Sequence, residues 1–192
     1  MKILLLGISL ICLNGFTGST FDTITKFLSL NDYKWYHYYS IGLTISLLCL
    51  LVFLQFKGGI KKHILLEKKQ YYLIPMIRGL QFAFITPVIF YSLKYIPINI
   101  FTTLLMTTPF FLIIFSKFIL NEKLNSISWI AIIIGFIGVL IVLKPTNANL
   151  NIYVILILLV AITNALSFTV VNKYSYMATT FGFTFYGIIP AT

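Results

Sequence analysis

Charge is what this 192-residue chain has least of. Only 9% of its residues are Asp, Glu, Lys or Arg, where a soluble domain carries roughly 25%. Too few charges are present to cover a water-facing surface, so an ordinary soluble enzyme is excluded. Acidic residues are scarcer still: Asp and Glu number 4 against 14 Lys and Arg. Arginine occurs once, as Arg78. There are two histidines, His37 and His63, and two cysteines, Cys12 and Cys49. No CxxC pair and no His/Cys/Asp/Glu spacing suits a metal, so no cofactor or disulfide framework is expected. Both thiols lie inside apolar runs and read as buried and inert. Nucleophile elbows, Walker loops and dinucleotide-binding glycine motifs are also missing.

Apolar residues are abundant instead. They make up 59% of the chain, with a mean hydropathy of +0.99. The solvent for most of this chain must be lipid. A helical span takes about 20 apolar residues, which allows roughly seven spans. The apolar runs place them at 3–29, 37–56, 72–93, 98–118, 127–143, 151–171 and 178–192. The expected fold is therefore an all-α integral membrane protein of about seven transmembrane helices. The opening run behind Lys2 also has the short apolar core of a signal peptide, but six more apolar runs follow it, and it reads as a span.

The net charge of +10 is spread thinly between apolar runs. That pattern fits topology signals, not a nucleic-acid partner. With the N-terminus inside, Lys2, Lys57, Lys61, Lys62, Lys68, Lys69, Arg78, Lys117, Lys123 and Lys173 lie on the cytoplasmic side, ten in all. Lys26, Lys34, Lys94 and Lys144 lie outside. A cytoplasmic N-terminus follows. The excess of Lys over Arg, with many Ile and Asn, reads as the codon bias of an AT-rich genome.

A weak internal repeat runs at a shift of 147. Phe21 to Phe27 lies over Phe168 to Tyr174, and Tyr38-Tyr39-Ser40-Ile41 over Phe185-Tyr186-Gly187-Ile188. The shift matches span 6 to span 1 across five spans, an odd number, so the second copy enters the bilayer inverted. Inverted repeats are common in secondary transporters. The chain divides on this basis into a first five-helix repeat, 1–145, and the start of an inverted second repeat, 150–192.

Ionisable groups at membrane depth are the informative residues, since each costs about 2.5–3.5 kcal/mol at the bilayer centre unless it faces a bundle interior or wet cavity. Asn14, Gly18, Asp22 and Lys26 form one i, i+4 row on span 1, the mark of an inward face. Asp22 and Lys26 read either as a substrate or proton site or as an ion pair near the outer interface. Arg78 opens span 3, with Gln81 one turn on. Its planar fork suits an anionic cargo group or a helix end, and its plainer reading is one more cytoplasmic anchor. Pro87 and Pro109 break backbone ladders within spans 3 and 4. Thr86, Thr102, Thr103, Thr107 and Thr108 beside them suit a cargo path, or simply satisfy freed carbonyls. Ala131, Gly135 and Gly138 mark a close-packing face of span 5.

From span 3 to span 5 the order of motifs is specific. Phe90-Tyr91-Ser92-Leu93-Lys94-Tyr95-Ile96-Pro97 ends span 3, and Pro109 sits within span 4. Ser116-Lys117 and Leu120-Asn121-Glu122-Lys123-Leu124 follow, then Trp129, Gly135-Phe136-Ile137-Gly138-Val139 and Lys144-Pro145. Asp22 to Lys26 and Arg78-Gly79-Leu80 fit the same pattern. This resembles the EamA family of the drug/metabolite transporter superfamily, with Asn121 where glycine is usual. The resemblance implies a ten-span carrier of two inverted five-span repeats. Such carriers move amino acids, metabolites, nucleotide-like compounds or drugs, in either direction, some of them S-adenosylmethionine. Coupling to protons or to cargo exchange is implied, with the path between the repeats lined by spans 1, 3 and 4.

The expected function is thus secondary transport of small metabolites by alternating access, with Asn14, Asp22, Lys26, Arg78, Gln81, Thr103, Thr107 and Pro109 as pathway or coupling candidates. The partners are small-molecule cargo, the lipid bilayer and protons. A membrane-embedded enzyme would need an interfacial nucleophile or metal cluster that the loops do not offer. A non-transporting receptor or assembly protein is the alternative, and flux against binding without flux separates the two. A repeat of 147 residues also predicts a full carrier of about 290–300 residues. The 192 residues are then expected to need further spans, or a second copy in a homodimer, to transport.

The topology has a direct test. Cysteines placed singly at Lys61 and Asn147 are expected to differ toward an impermeant thiol reagent in intact cells. Asn147→Cys labels from outside and Lys61→Cys does not, and outside labelling of Lys61→Cys overturns the orientation.

Overall fold

The computed structural model describes residues 2–59, 72–143, 151–177 and 180–191. The lysine-rich stretch with Lys61, Lys62, Lys68 and Lys69, and the region of Lys144 and Asn147, lie outside the described residues. Within them the chain is helical, with no strand. Helix α1 spans Lys2–Leu30, α2 Trp35–Phe56 and α3 Leu73–Tyr95. Span 4 is split into α4, Ile98–Leu105, and α5, Thr108–Phe115, which runs on through a π-helical turn at Ser116–Leu120. Helix α6 spans Ser126–Leu143, α7 Ile152–Lys173 and α8 Thr180–Ile188, with a 3-10 turn at Ile189–Ala191.

Four stretches among the described residues are long and apolar enough to cross a membrane: Trp35–Phe56, Leu73–Tyr95, Ile98–Leu120 and Ile152–Lys173. Their outer faces are apolar and uncovered. Phe56, Phe84, Phe118 and Ile152 are all largely exposed, a surface that belongs in lipid. Cys12 and Cys49 share that surface as free thiols, which corrects the expectation that they are buried. In the stretch expected as the seventh span, α8 runs over Thr180–Ile188 and tightens at Pro190 into the 3-10 turn.

Hydroxyls that the sequence scatters along apolar helices are satisfied within one turn. Thr17, Thr20, Thr23 and Thr25 of α1 donate to the carbonyls of Leu13, Phe16, Ser19 and Phe21 at 2.8–3.0 Å. Thr163 and Thr169 of α7 do the same toward Leu159 and Ala165. This back-bonding removes the cost of presenting a hydroxyl to hydrocarbon. It also corrects the inward reading of the α1 row in part. Around Gly18 the helix is exposed, and a Cβ there would meet open space. Among the described side chains, it is the C-terminal third of α1, with buried Thr25 and Ser29, that packs.

The two prolines act differently from one another. Helix α3 continues through Pro87, and Thr86 Oγ1 donates to the Phe82 carbonyl at 2.7 Å. Pro109 does not interrupt a helix. It lies in the first turn of α5, where a missing N–H costs nothing, and the break falls just before it at Met106–Thr107. The turn at Asn121 forms as it would with glycine, because Asn121 takes the left-handed conformation at φ 57°, ψ 31°.

Helix α3 is the centre of the bundle, packed on α1, α2, α7 and α8, and α7 packs on to α4 and α5. The buried core joins α3, α4 and α7 at one end: Leu93, Ile96, Phe101, Leu104, Val154, Ile157 and Val160. Tyr95 and Tyr153 stack beside it, with ring centroids 4.4 Å apart. Two glycines set the closest approaches. A Cβ on Gly79 would strike the Gly187 carbonyl of α8 and come within 2.7 Å of Pro190. A Cβ on Gly135 of α6 would strike the Phe110 ring of α5, whereas Gly138 faces open space.

Those contacts predict unequal costs. Gly135→Ala is expected to lose about 1–2 kcal/mol, because the Phe110 ring can swing aside. Gly79→Ala is expected to lose more, because backbone must move. Thermal unfolding in lipid nanodiscs checks the order, and an Ala at 79 that is tolerated better than one at 135 contradicts it.

Candidate functional site

Arg78 and Gln81 are one turn apart on α3, and α7 brings polar groups to meet them. Arg78, Gln81 and Phe82 line one cavity of about 190 Å³ with Asn164, Ser167 and Phe168. On the neighbouring side the same Arg78 and Gln81 border an apolar cavity of about 270 Å³, walled by Ile74, Ile77, Leu166, Val170 and Val171. A third cavity, of about 190 Å³, runs from Arg78 and Gly79 to Phe183, Thr184 and Gly187 of α8. Arg78 therefore stands where three cavities meet.

The electrostatics of this place are unusual for lipid depth. The Arg78 guanidinium lies over the Phe168 ring, 5.1 Å from its centroid. That contact places the cation against an aromatic ring and takes up none of its N–H donors as hydrogen bonds. Among the described residues no carboxylate pairs with it and no acceptor takes its hydrogen bonds. Gln81 Nε2 is buried and likewise without a hydrogen-bond partner. Arg78 and Gln81 thus line the same two cavities, and neither has its donors paired with a protein acceptor among the described residues.

Asp22 and Lys26 are not part of this cluster, nor do they pair with each other. Lys26 Nζ donates at 2.7 Å to the carbonyls of both Leu93 and Ile96, at the C-terminal end of α3. These are carbonyls that a helix end leaves without partners, and a cation is favoured beside them. An ion pair between Lys94 and Asp32, 3.0 Å, ties the same end of α3 to the turn after α1. Asp22 instead sits near Tyr38 and Tyr39 of α2, close enough to act on both phenols electrostatically. Phe21 packs on both rings at 5.6–5.7 Å. The Tyr39 hydroxyl is buried near Thr25, and Tyr39 lines a small cavity with Trp35, Ser40 and Thr86.

The remaining candidates lie elsewhere. Thr103 borders an open groove between α4 and α6 with Thr102, Met106 and Gly138, and its hydroxyl donates to the Asn99 carbonyl at 2.7 Å. Thr107 is fully buried at the α4–α5 break and donates to the Leu104 carbonyl at 2.6 Å. Pro109 follows it in the same turn. The side chain of Asn14 lies outside the described residues. Asn164, Ser167 and Phe168 were missed in the sequence, although Asn164 and Ser167 share a helical face in an otherwise apolar run.

The EamA-like transporter family model matches residues 5–144. The chain belongs to the EamA-like transporter family, a family of transporters and not of enzymes. It is 26% identical over 189 residues to the S-adenosylmethionine uptake transporter of Rickettsia prowazekii (strain Madrid E), covering 98% of this chain and 62% of that protein. It is 34% identical over 84 residues to the riboflavin transporter of Brucella anthropi, covering 44% of this chain and 29% of that one. The pseudopaline exporter CntI of Pseudomonas aeruginosa is 28% identical over 123 residues, 62% of this chain and 43% of the exporter. The chain spans about three fifths of the length of the S-adenosylmethionine transporters it matches. No solved structure matches it. Family and apolar helices together make this a multi-pass membrane protein, and these relatives are all bacterial.

The Lys26 contact yields a stability test. Lys26→Met removes two charge-assisted bonds from the end of α3 and is expected to cost about 1–3 kcal/mol. Because Lys26 faces α3, its effect is expected to add to that of Asp22→Asn with no compensation in the double variant. Thermal unfolding of the two single variants and the double checks this, and a double variant restored toward the parent contradicts it.

Proposed function

We propose that the protein is a secondary transporter that moves small metabolites, amino-acid-like or drug-like, across the inner membrane by alternating access. The observation that carries this reading is the asymmetry of the antiparallel α3–α7 pair. At one end the pair is sealed by the Leu93–Val160 apolar cluster and the Tyr95–Tyr153 stack. At the other it parts around Arg78 and Gln81, with Asn164 and Ser167 opposite. A path closed to one side and open to the other is one half of an alternating-access cycle.

In this reading residues 1–145 are a first five-helix repeat and 150–192 begin an inverted second, so that Arg78 and Asn164 face each other across the repeat boundary. The family match over 5–144 has the extent of one such repeat, which supports that division. The N-terminus is cytoplasmic, and Arg78 is near the cytoplasmic mouth. Asp22, among the α2 phenols, is the candidate for proton coupling. The rest of the path comes from the part of the relatives' length that this chain does not span, or from a second copy. Relatives named for S-adenosylmethionine uptake align over 98% of the chain, which supports a small-molecule cargo.

The test is flux of radiolabelled metabolites into proteoliposomes. Transport is expected to fall roughly tenfold or more in Arg78→Lys, which keeps the charge but loses the fork. Asp22→Asn is expected to abolish the response to a proton gradient. Cargo binding without flux in the parent protein overturns the reading.

A further inference from the structure

We propose that the cavity around Arg78 takes the carboxylate of a monoanionic, otherwise apolar metabolite, with the carboxylate on the Arg78 fork and the Gln81 amide. The inference rests on reading this cavity as the cargo site. Three features of the cavity lead to it.

The donors are in surplus. The guanidinium lies 5.1 Å from the Phe168 centroid with no acceptor for its N–H groups among the described residues, and Gln81, on the same cavity walls, has a buried Nε2 without one. A planar anion with two acceptor oxygens meets both needs in one ligand, since a carboxylate matches the guanidinium fork and has lone pairs left for an amide N–H.

The charge is single. Arg78 is the one cation among the residues that line its three cavities, and no Asp or Glu lines them. A monoanion neutralises it. A phosphate dianion would bring a second negative charge with no counter-ion at this depth, and a cationic group would meet like charge. An ammonium group on the cargo finds no acid partner among the lining residues.

The remaining wall is apolar. Ile74, Ile77, Leu166, Val170 and Val171 enclose the larger space of about 270 Å³ beside the fork. That volume is near the lower limit of ligand pockets, about 300 Å³, and suits a compact aryl or alkyl body.

A matched pair of probes tests the proposal on the parent protein in lipid nanodiscs. 3-Phenylpropanoate and 3-phenylpropanamide have nearly the same shape and differ in charge. The expected result is a rise in unfolding temperature with the acid and at least a tenfold weaker effect with the amide. Phenyl phosphate and phenylethylammonium are expected to bind more weakly than the acid. Arg78→Lys and Gln81→Leu are each expected to reduce the preference for acid over amide. Equal stabilisation by acid and amide, or none by the acid, overturns the proposal, and needs no variant to fold. The outcome is separate from that of the flux assay. Acid-selective binding without flux sustains the carboxylate site and sinks the transporter reading. Flux that the amide inhibits as well as the acid does the reverse.

Discussion

Everything in this bundle depends on the contact of α3 with α7. In lipid, burying apolar surface is no driving force between helices, so association comes from close packing and from polar groups that need partners. Helix α3 has both. It meets α7 through a tightly buried cluster at one end and through polar side chains at the other. Helices α1, α2 and α8 then pack on α3, and α4 and α5 on α7. Removing that pair would leave the other helices with little to hold them in register.

The second constraint is that no backbone or hydroxyl group goes without a partner at membrane depth unless something else supplies one. The chain meets it mostly with local means. Threonines bond back one turn, Asn121 turns the chain in a left-handed conformation, and Lys26 takes up the end carbonyls of α3. Against that economy the exceptions are informative. Among the described residues Gln81 Nε2 and Ser92 Oγ are buried and unpartnered; Ser92 lies at the packed end of α3, whereas Gln81 lines a cavity.

Much of this was legible in the sequence because bilayer thickness imposes a length on every span. Helices α1 to α3, α6 and α7 fall within a few residues of the apolar runs. The tightening of α8 into a 3-10 turn was legible only in Pro190, since the run around it is apolar throughout. Arg78 and Gln81 stood out as polar groups one turn apart. Their partners on α7 did not, because Asn164 and Ser167 acquire meaning only when a helix some 80 residues away is laid beside them. The pairing of Asp22 with Lys26 misled for the same reason. Spacing of four puts both on one face, but a flexible lysine goes to the strongest acceptors in reach, and those belong to α3. The break in span 4 was read from Pro109, yet the helix gives way two residues earlier, where Thr107 turns its hydroxyl inward.

The contact of Gly79 with Gly187 has a mechanical side. Most helix pairs touch through side chains, and rotamers absorb small displacements between them. Here α3 and α8 touch backbone to backbone, so there is no compliant layer at that point. Any sliding of α8 is transferred undamped to α3 at Gly79. The next residue in the chain is Arg78, whose guanidinium sits some way out on a long side chain. A fulcrum one residue from a long arm converts a small shift of the helix into a larger sweep of the charged tip.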